Sequence, residues 1–318
     1  MYTKMKSRFF LVLQIAFLAG LLLLSACAPA AAVTDLPLNT ITPTAEEPVQ
    51  IQASATAVPA TEVPATEVPA TAVSTMQPSS DTGTAVTFGP LSLVVPAEVA
   101  GGASGSDYPR IDSEDAAWWQ KTPGHLQVML GDYYVLQGKF HQPQIYVYPA
   151  QAYAELVPAA FESIRRLDNI LYGSGGPISG DELPIVPFFN AQPLFAANIQ
   201  PISFQNGGGV RFLTQYDQYN APVNNHELFY QFQGVTRDGA YYIIAILPIT
   251  APVLAETSDA GADLPSGGIA YPDITDPNAD WQGYYTAVSD LLNSTSPDAF
   301  TPSINQLDLM IESMQVAP

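Results

Sequence analysis

Three histidines, His125, His141 and His226, are the residues best suited to catalysis or metal binding in this sequence. No two of them have the short spacing that is typical of zinc ligands, so the sequence does not predict a zinc site. A serine hydrolase would need one of them as its general base, and His226 beside Glu227 is the most suitable. Adjacent residues of a strand point to opposite faces, however, so this pair does not predict a catalytic dyad. The sequence also lacks the G-x-S-x-G, H-E-x-x-H and phosphate-loop motifs.

An acidic segment between residues 256 and 280 contains six acids and no base, which makes it a candidate cation site. The candidate metal ligands are Asp273, Asp276, Asn278 and Asp280. Alternate oxygens over residues 276–280 match the beginning of a calcium-binding EF-hand loop. The match then ends, because Trp281 stands where the loop needs glycine and Ala287 where it needs a bidentate glutamate. Helix capping within a solvated loop explains these residues better. Calcium is kept as an alternative, and no other cofactor is predicted.

A third group is rich in amides and aromatic rings and falls in a loop between two predicted strands. The candidate ligand-binding residues are Tyr216, Tyr219, Asn224, Asn225 and His226. Aromatic faces beside amide donors suit sugars or peptides, and binding residues often lie on loops of a rigid scaffold. Asn and Tyr are also ordinary residues of turns and strand ends, and this simpler explanation is favoured over the first.

The charge of the chain restricts its partners. The formal net charge is −20; all 30 acidic residues but only seven of the ten basic ones follow residue 27, which gives −23 for that part. Nucleic acid binding needs clustered Lys and Arg, so no nucleic acid partner is predicted. Electrostatic binding to anionic lipids is disfavoured for the same reason. Metal ions and basic peptides remain compatible, although acidity alone also keeps an exposed protein soluble.

The N-terminus has the organisation of an export signal. Three basic residues and no acid precede the apolar run Phe9–Leu24, which at about 16 residues is shorter than the ~20 needed to span a membrane. The run ends in Leu24-Ser25-Ala26-Cys27, which resembles the lipobox of bacterial lipoproteins. The resemblance implies a signal peptide over residues 1–26 and acylation of Cys27 with chains such as palmitate. It further implies a lipid-anchored protein of the bacterial cell envelope that faces outside the cytoplasm.

Cys27 is the only cysteine, so the chain has no internal disulfide bond. An unpaired thiol in an exported protein requires an explanation, and thioether-linked lipid supplies one. Two or more acyl chains make a stable anchor where one does not, so the predicted partner of Cys27 is the membrane. An uncleaved transmembrane anchor is the alternative.

A low-complexity segment rich in Ala, Thr and Pro is predicted over residues 27–85. The unit Val58-Pro59-Ala60-Thr61-Glu62 recurs with a period of five residues. Regularly spaced proline prevents the propagation of helix or sheet, and few large apolar residues are available for burial. We therefore predict a disordered stalk, roughly 40 Å long as a coil, that holds the following domain away from the lipid surface.

Residues 86–318 are predicted to form a single globular domain. Alternating or continuous apolar runs predict strands at residues 86–88, 91–95, 125–130, 144–148, 198–204, 210–216, 228–236 and 241–247. Asp238-Gly239 is expected to form a two-residue type I′ turn, and residues 207–209 a hairpin turn. Gln231 and Gln233 alternate with apolar residues, so one face of the sheet is expected to contact water.

Three helices are predicted beside these strands. An amphipathic stripe extends from Tyr153 to Leu171, and the helix should begin or kink at Pro158. Two helices close the chain, the first with Asp276 as its N-cap and the second starting near Pro302. The order of elements predicts an α+β fold, a mostly antiparallel sheet packed by helices, with an α/β/α sandwich as one arrangement.

This order of elements is similar to the α/β/α sandwiches of the PsbP type, which also occur in lipoproteins. The segment of residues 204–216, with the sequence FQNGGGVRFLTQY, resembles one in uncharacterised bacterial exported proteins, which implies no activity.

The anchor, the stalk and the lack of a catalytic motif favour a non-enzymatic binding or interaction module for a sugar, peptide or protein. A hydrolase of envelope polymers and a structural lipoprotein that bridges membrane and wall are the alternatives. Convergent carboxylates in a pocket would favour the hydrolase, and a large exposed apolar patch the structural role.

Overall fold

The structure, a computed structural model, describes residues 83–133, 138–173 and 175–317. The predicted signal peptide, the predicted anchor Cys27 and the predicted stalk up to residue 82 lie outside the described residues. The first strand begins at Gly83, inside the segment predicted as stalk. None of the helices in the described ranges is both long enough and apolar enough to cross a membrane.

Strands make up most of the regular structure. They are β1 (Gly83–Phe88), β2 (Leu91–Pro96), β3 (Gly102–Tyr108), β4 (His125–Gly131), β5 (Gln144–Pro149), β6 (Gln192–Pro193), β7 (Ala197–Phe204), β8 (Gly207–Thr214), β9 (Tyr216–Asp217), β10 (Phe229–Thr236), β11 (Tyr241–Pro248) and β12 (Gln315–Val316). The helices are α1 (Ala150–Leu156), α2 (Pro158–Tyr172), α3 (Trp281–Ser294) and α4 (Ile304–Glu312). Short 3-10 turns lie at Trp118–Gln120, Gly180–Glu182 and Pro297–Ala299.

Seven strands form an antiparallel sheet in the order β3-β4-β5-β11-β10-β8-β7. A second antiparallel sheet has the order β1-β2-β12, and β6 pairs with β9. The β1–β2 and β10–β11 hairpins join strands that are consecutive in the chain, as the sequence predicted. The prediction of an α+β fold with a mostly antiparallel sheet and packed helices is confirmed.

Two apolar cores contact the seven-stranded sheet, and alternate residues of its strands belong to different cores. On β11, Tyr242 and Ile244 belong to the core that contains α1 and α2, whereas Ile243 and Leu247 belong to the core that contains α3, α4 and β2. Every residue of β10 is buried. The predicted water-facing side of the sheet is therefore wrong at Gln231 and Gln233, which are 0% exposed.

Two predicted turns differ from the structure. A type I′ turn needs a positive φ at both central residues, but of Asp238 and Gly239 only Gly239 has one, at 70°. Asp238-Gly239 is therefore not a type I′ turn. Instead four residues join β10 to β11, and the Asp238 carboxylate accepts hydrogen bonds from Thr236 Oγ1 and from the Ala240 amide at 3.0 Å. The glycines at 207–209 lie inside β8 rather than in a turn. Glycine is needed at 209 because a Cβ there would collide with the Gln233 carbonyl and the Phe232 ring of the neighbouring strand.

The helix boundaries follow local capping. The predicted break at Pro158 is confirmed, since α1 ends at Leu156 and Pro158 is the first residue of α2. The predicted N-cap Asp276 is wrong, because α3 begins at Trp281 and Asp280 accepts a hydrogen bond from the Gly283 amide at 2.8 Å. In an acid-rich segment several aspartates satisfy the capping rule, and only one of them is followed by helical backbone.

Candidate binding site

Two adjoining depressions share four wall residues, Phe189, Asn190, Ala191 and Tyr216. The first has a volume of about 250 Å³, and its other lining residues are Trp118, Trp119, Ile185, Phe188, Gln192 and Pro193. The second has a volume of about 420 Å³, and its other lining residues are Phe140, His141, Asp217, Gln218 and Glu227. We call the two together the aromatic cleft. Their combined size is that of ordinary small-ligand sites, which are about 300–1,000 Å³.

The segment that carries Phe188 and Phe189 has no regular structure and is held by two buried glutamines of β10. Gln231 Nε2 donates to the Val186 carbonyl at 2.7 Å, and Gln233 Nε2 donates to the Pro184 carbonyl at 2.9 Å. Gln233 Oε1 also accepts a hydrogen bond from the Tyr242 hydroxyl. Buried polar groups must be hydrogen-bonded, so these glutamines fix an irregular segment against the sheet.

Replacing either glutamine with leucine should destabilise the protein, by different amounts. Gln231→Leu leaves one carbonyl without its donor and should cost about 1–2 kcal/mol of unfolding free energy. Gln233→Leu leaves both a carbonyl and the Tyr242 hydroxyl unpaired and should cost about 2–3 kcal/mol. Urea unfolding of the two variants measures the difference. Equal costs would show that the Tyr242 hydrogen bond does not contribute.

The short pair of β6 and β9 places Tyr216 at the centre of the cleft, because Tyr216 is paired with Pro193. Its ring lies edge-on to Phe189, with centroids 5.2 Å apart and planes at 78°. Among the described residues, neither the Tyr216 hydroxyl nor Gln231 Oε1 has a hydrogen-bond partner. Burial raises the pKa of Tyr216, and the nearby Gln231 side chain opposes that rise. The hydroxyl is buried, so the ring rather than the hydroxyl is what Tyr216 presents to the cleft.

Phe140 and His141 form the opposite wall, on a loop that is bound to the turn at residues 225–227. The Phe140 amide donates to the His226 carbonyl at 2.8 Å, and Lys139 Nζ donates to the carbonyl of Asn225. The His141 ring contacts Phe229 at a centroid distance of 4.4 Å and lies between aromatic neighbours. Burial, and secondarily the charge of His226, lowers the pKa of His141 to about 4. His141 is thus a neutral wall residue at neutral pH.

Two acidic side chains complete the cleft, and no Lys or Arg among the described residues lines it. Asp217 Oδ1 accepts hydrogen bonds from the amides of Gln218 and Tyr219 at 2.6 and 3.3 Å. Glu227 Oε2 accepts from Gln215 Nε2 at 2.7 Å and from Asn224 Nδ2 at 3.2 Å. One oxygen of each carboxylate is used to hold the loop, and the other is left out of these bonds. The charge of the cleft is negative.

The residues predicted from sequence to bind a ligand have different positions. Tyr216 lines the cleft, and Tyr219 beside it is 77% exposed. Asn224 and Asn225 are buried and support the loop instead: the Asn225 side chain bonds to the backbone of Ala251 and Leu254 and to Glu256. His226 is partly buried, outside the cleft lining, with Nδ1 at the Gly138 carbonyl. It lies with Glu227 in a turn rather than on a strand, which corrects the sequence interpretation.

Sequence reasoning missed the aromatic residues outside the amide-rich loop. The Trp118-Trp119 and Phe188-Phe189 pairs both lie in segments without hydrophobic periodicity. The Trp118 and Phe188 rings meet at a centroid distance of 5.2 Å although 70 residues separate them. Adjacent aromatic residues in aperiodic, proline-containing segments were the available signal.

Three of the four candidate metal ligands accept local hydrogen bonds through their side chains, and the fourth, Asn278, donates one of these bonds from its backbone amide. Asp273 Oδ1 accepts from the Thr275 amide and hydroxyl, and Asp276 Oδ1 accepts from the Asn278 amide. Asp280 caps α3. Over residues 83–133, 138–173 and 175–317, no group of three or more His, Cys, Asp or Glu side chains is arranged to hold a metal ion.

The fold and the cleft define an α+β domain with an aromatic, acidic depression at one end of its central sheet. Comparisons with protein-family models, with curated proteins and with solved structures found no match to this chain. The functional interpretation therefore depends on the site itself.

Proposed function

We propose that this protein is a lipid-anchored, surface-displayed binding module of the bacterial cell envelope and that the aromatic cleft is its binding site. The observation that carries the proposal is the convergence of Trp118, Phe189 and Tyr216 from separate segments around one depression. Tyr216 and Phe189 pack on the core that contains α1 and α2, whereas Trp118 is 54% exposed at the mouth of the depression. Exposed aromatic rings beside polar side chains are typical of ligand sites.

The N-terminal sequence supports the anchored location. The lipobox resemblance at Leu24-Ser25-Ala26-Cys27 and the proline-rich segment after it fit a domain held away from a membrane by a lipid and a stalk. The cleft would then face the outside of the cytoplasm, where envelope sugars and peptides are available. The net negative charge of the chain is compatible with a soluble, surface-exposed domain, and it disfavours binding to nucleic acid.

We also propose that the seven-stranded sheet is the middle layer of an α/β/α sandwich. The support is the division of the core, with α1 and α2 in one cluster and α3 and α4 in the other. In such an arrangement both sheet faces are covered, and ligands bind at the ends of strands, where loops can reach them.

The envelope-polymer hydrolase is the second candidate, because Asp217 and Glu227 line one cleft. Glycoside hydrolysis uses two carboxyl groups on opposite sides of the bond that is cleaved. Here, however, one oxygen of Asp217 and one of Glu227 accept hydrogen bonds from the loop that carries them. The geometry supports binding better than catalysis.

The anchor is tested by the substitution Cys27→Ser. Without the thiol no thioether lipid forms, so palmitate labelling and recovery in the membrane fraction should both be lost. The matched control is Ser25→Ala, which keeps a small residue in the motif and should retain labelling. A Cys27→Ser variant that still accumulates in washed membranes would contradict lipid anchoring and support a transmembrane anchor.

The binding site is tested with a thermal-shift panel on the full-length chain and its Trp118→Ala variant. The panel contains oligosaccharides, wall peptides and organic cations. A ligand at 100 times its Kd adds about 2.7 kcal/mol, enough to raise the Tm by a few degrees. The shift should fall strongly in Trp118→Ala. A ligand that stabilises both proteins equally would place its site elsewhere.

A further inference from the structure

The larger depression of the aromatic cleft has walls that meet at steep angles. The Phe140 and His141 rings are at 89° with centroids 4.9 Å apart, and the Phe189 and Tyr216 rings are at 78°. The centroid distance from His141 to Phe189 is 5.1 Å, so the four rings form a continuous wall around one volume of about 420 Å³. A ligand group in this corner contacts more than one ring. Flat aromatic platforms suit sugar rings, whereas a corner suits a compact group.

The charges at this depression have one sign. Asp217 and Glu227 line it, and no Lys or Arg from the described part of the chain does. Burial disfavours the charged form of His141. Lys139, which precedes Phe140, is bound through Nζ to the carbonyls of Asn225 and Ile249 and does not line the depression. The chain as a whole carries a formal charge of −20, which raises the local concentration of cations.

Aromatic rings beside carboxylates have a known physical preference. The negative face of an aromatic ring attracts a cation, and this attraction is strongest when the cation is weakly hydrated. Methylated ammonium groups combine positive charge with low hydration, so the rings and the carboxylates act in the same direction. An anionic group next to the ammonium would be repelled by Asp217 and Glu227.

We propose that the depression bounded by Phe140, His141, Phe189, Tyr216, Asp217 and Glu227 binds a trimethylammonium group that carries no adjacent anion. The inference rests on the proposed function, because it assigns the ligand class of the same cleft.

The test is calorimetric titration of the full-length chain with choline and with 3,3-dimethylbutan-1-ol. The alcohol has the shape of choline with carbon in place of nitrogen, so the pair isolates the charge. Choline should bind at least roughly tenfold more tightly than the alcohol, and also more tightly than phosphocholine, which adds an anion. Equal affinity for choline and the alcohol, or for choline and phosphocholine, would overturn the inference.

Variants separate the rings from the carboxylates. Phe189→Leu keeps an apolar wall but removes the ring face, and should weaken choline binding roughly tenfold. Asp217→Asn and Glu227→Gln keep the side-chain shape and should each weaken it several-fold. Asp259→Asn, a matched loss of one charge on an exposed loop, should have little effect. Melting midpoints show which variants remain folded, and the two amide variants carry the test if Phe189→Leu unfolds.

The outcomes also distinguish this inference from the proposed function. If choline does not bind at millimolar concentration but an oligosaccharide or peptide does, and Trp118→Ala removes that binding, the ammonium inference fails and the binding site stands. If Asp259→Asn weakens choline binding as much as Asp217→Asn and Glu227→Gln, the attraction is non-specific and the ammonium site is excluded. If no ligand of any class responds to substitutions in the cleft, both fail.

Discussion

Replacement of Arg211 with methionine is expected to lower the free energy of unfolding by about 3–5 kcal/mol, because it leaves a buried acid without its partner. The Arg211 side chain on β8 is 5% exposed, and its Nε lies 3.3 Å from Asp308 Oδ1 on α4. Its other nitrogens donate to the Asn198 carbonyl and to Gln200 Oε1 on β7. Arg211 thus connects β7, β8 and α4.

Asp308 depends on Arg211 and on Tyr230, whose hydroxyl donates to Asp308 Oδ1 at 2.8 Å. Burial raises the pKa of Asp308, and the Arg211 charge opposes that rise. Without Arg211 the folded-state pKa should move further up. A folded pKa above the unfolded value gives stability that grows as pH falls, so acidification should recover part of the loss in Arg211→Met.

Chemical denaturation at pH 7 and pH 5 measures both effects. The control is the double variant Arg211→Met with Asp308→Leu, which removes both charges and should be more stable than the single variant. A single variant within about 1 kcal/mol of the parent would show that this ion pair is as weak as an exposed one.

Titration of His141 should make stability fall by up to about 3 kcal/mol between pH 6.5 and pH 4. The pKa of His141 is lowered to about 4, firstly by burial and secondly by the charge of His226. In this range the unfolded chain binds a proton that the folded chain does not, so the free energy of unfolding decreases as pH falls. Above pH 6.5 both states are neutral at this residue, and its contribution does not change with pH.

The pH dependence is isolated by comparison with His141→Leu, since acidic residues titrate in both proteins. The difference between the two profiles should have a slope near 1.4 kcal/mol per pH unit inside the window and none above it. His125→Leu is the control, because burial lowers the pKa of His125 as well but that ring is only partly buried. Parallel profiles for the parent and His141→Leu would contradict the burial of a neutral His141.

Regular hydrophobic patterns made much of the sheet predictable. Alternation at Leu126, Val128 and Leu130 identified β4, and the continuous apolar run from Tyr241 to Leu247 identified β11 at the middle of the sheet. Such patterns work because side chains of a strand alternate between faces, and a strand covered on both faces is apolar throughout.

The same rule failed where polar residues are buried. Gln231 and Gln233 alternate with apolar residues, which is the usual pattern of a strand with one face in water. The pattern does not show whether a polar side chain has a hydrogen-bond partner inside the protein. Their partners are carbonyls at Pro184 and Val186, in a segment without periodicity. Pattern reasoning cannot anticipate a hydrogen bond between a strand and an irregular segment more than 40 residues away in sequence.

The candidate site was predictable only in part. The amide-rich loop was found, and Tyr216 does line the cleft, but Asn224 and Asn225 hold the loop rather than face it. Side-chain type does not distinguish these roles, because amides serve equally as ligand donors and as loop supports. The Trp118 and Phe188 segments reach the cleft through tertiary packing.

Tryptophan fluorescence of the full-length Trp281→Phe variant tests the central proposal most directly. The chain has three tryptophans, and this substitution leaves only Trp118 and Trp119, which both line the aromatic cleft. A ligand that raises the melting midpoint should also change the emission of these two residues, and Phe189→Ala should weaken both responses together. A ligand that stabilises the protein while this emission stays constant would contradict the assignment of the aromatic cleft as the binding site.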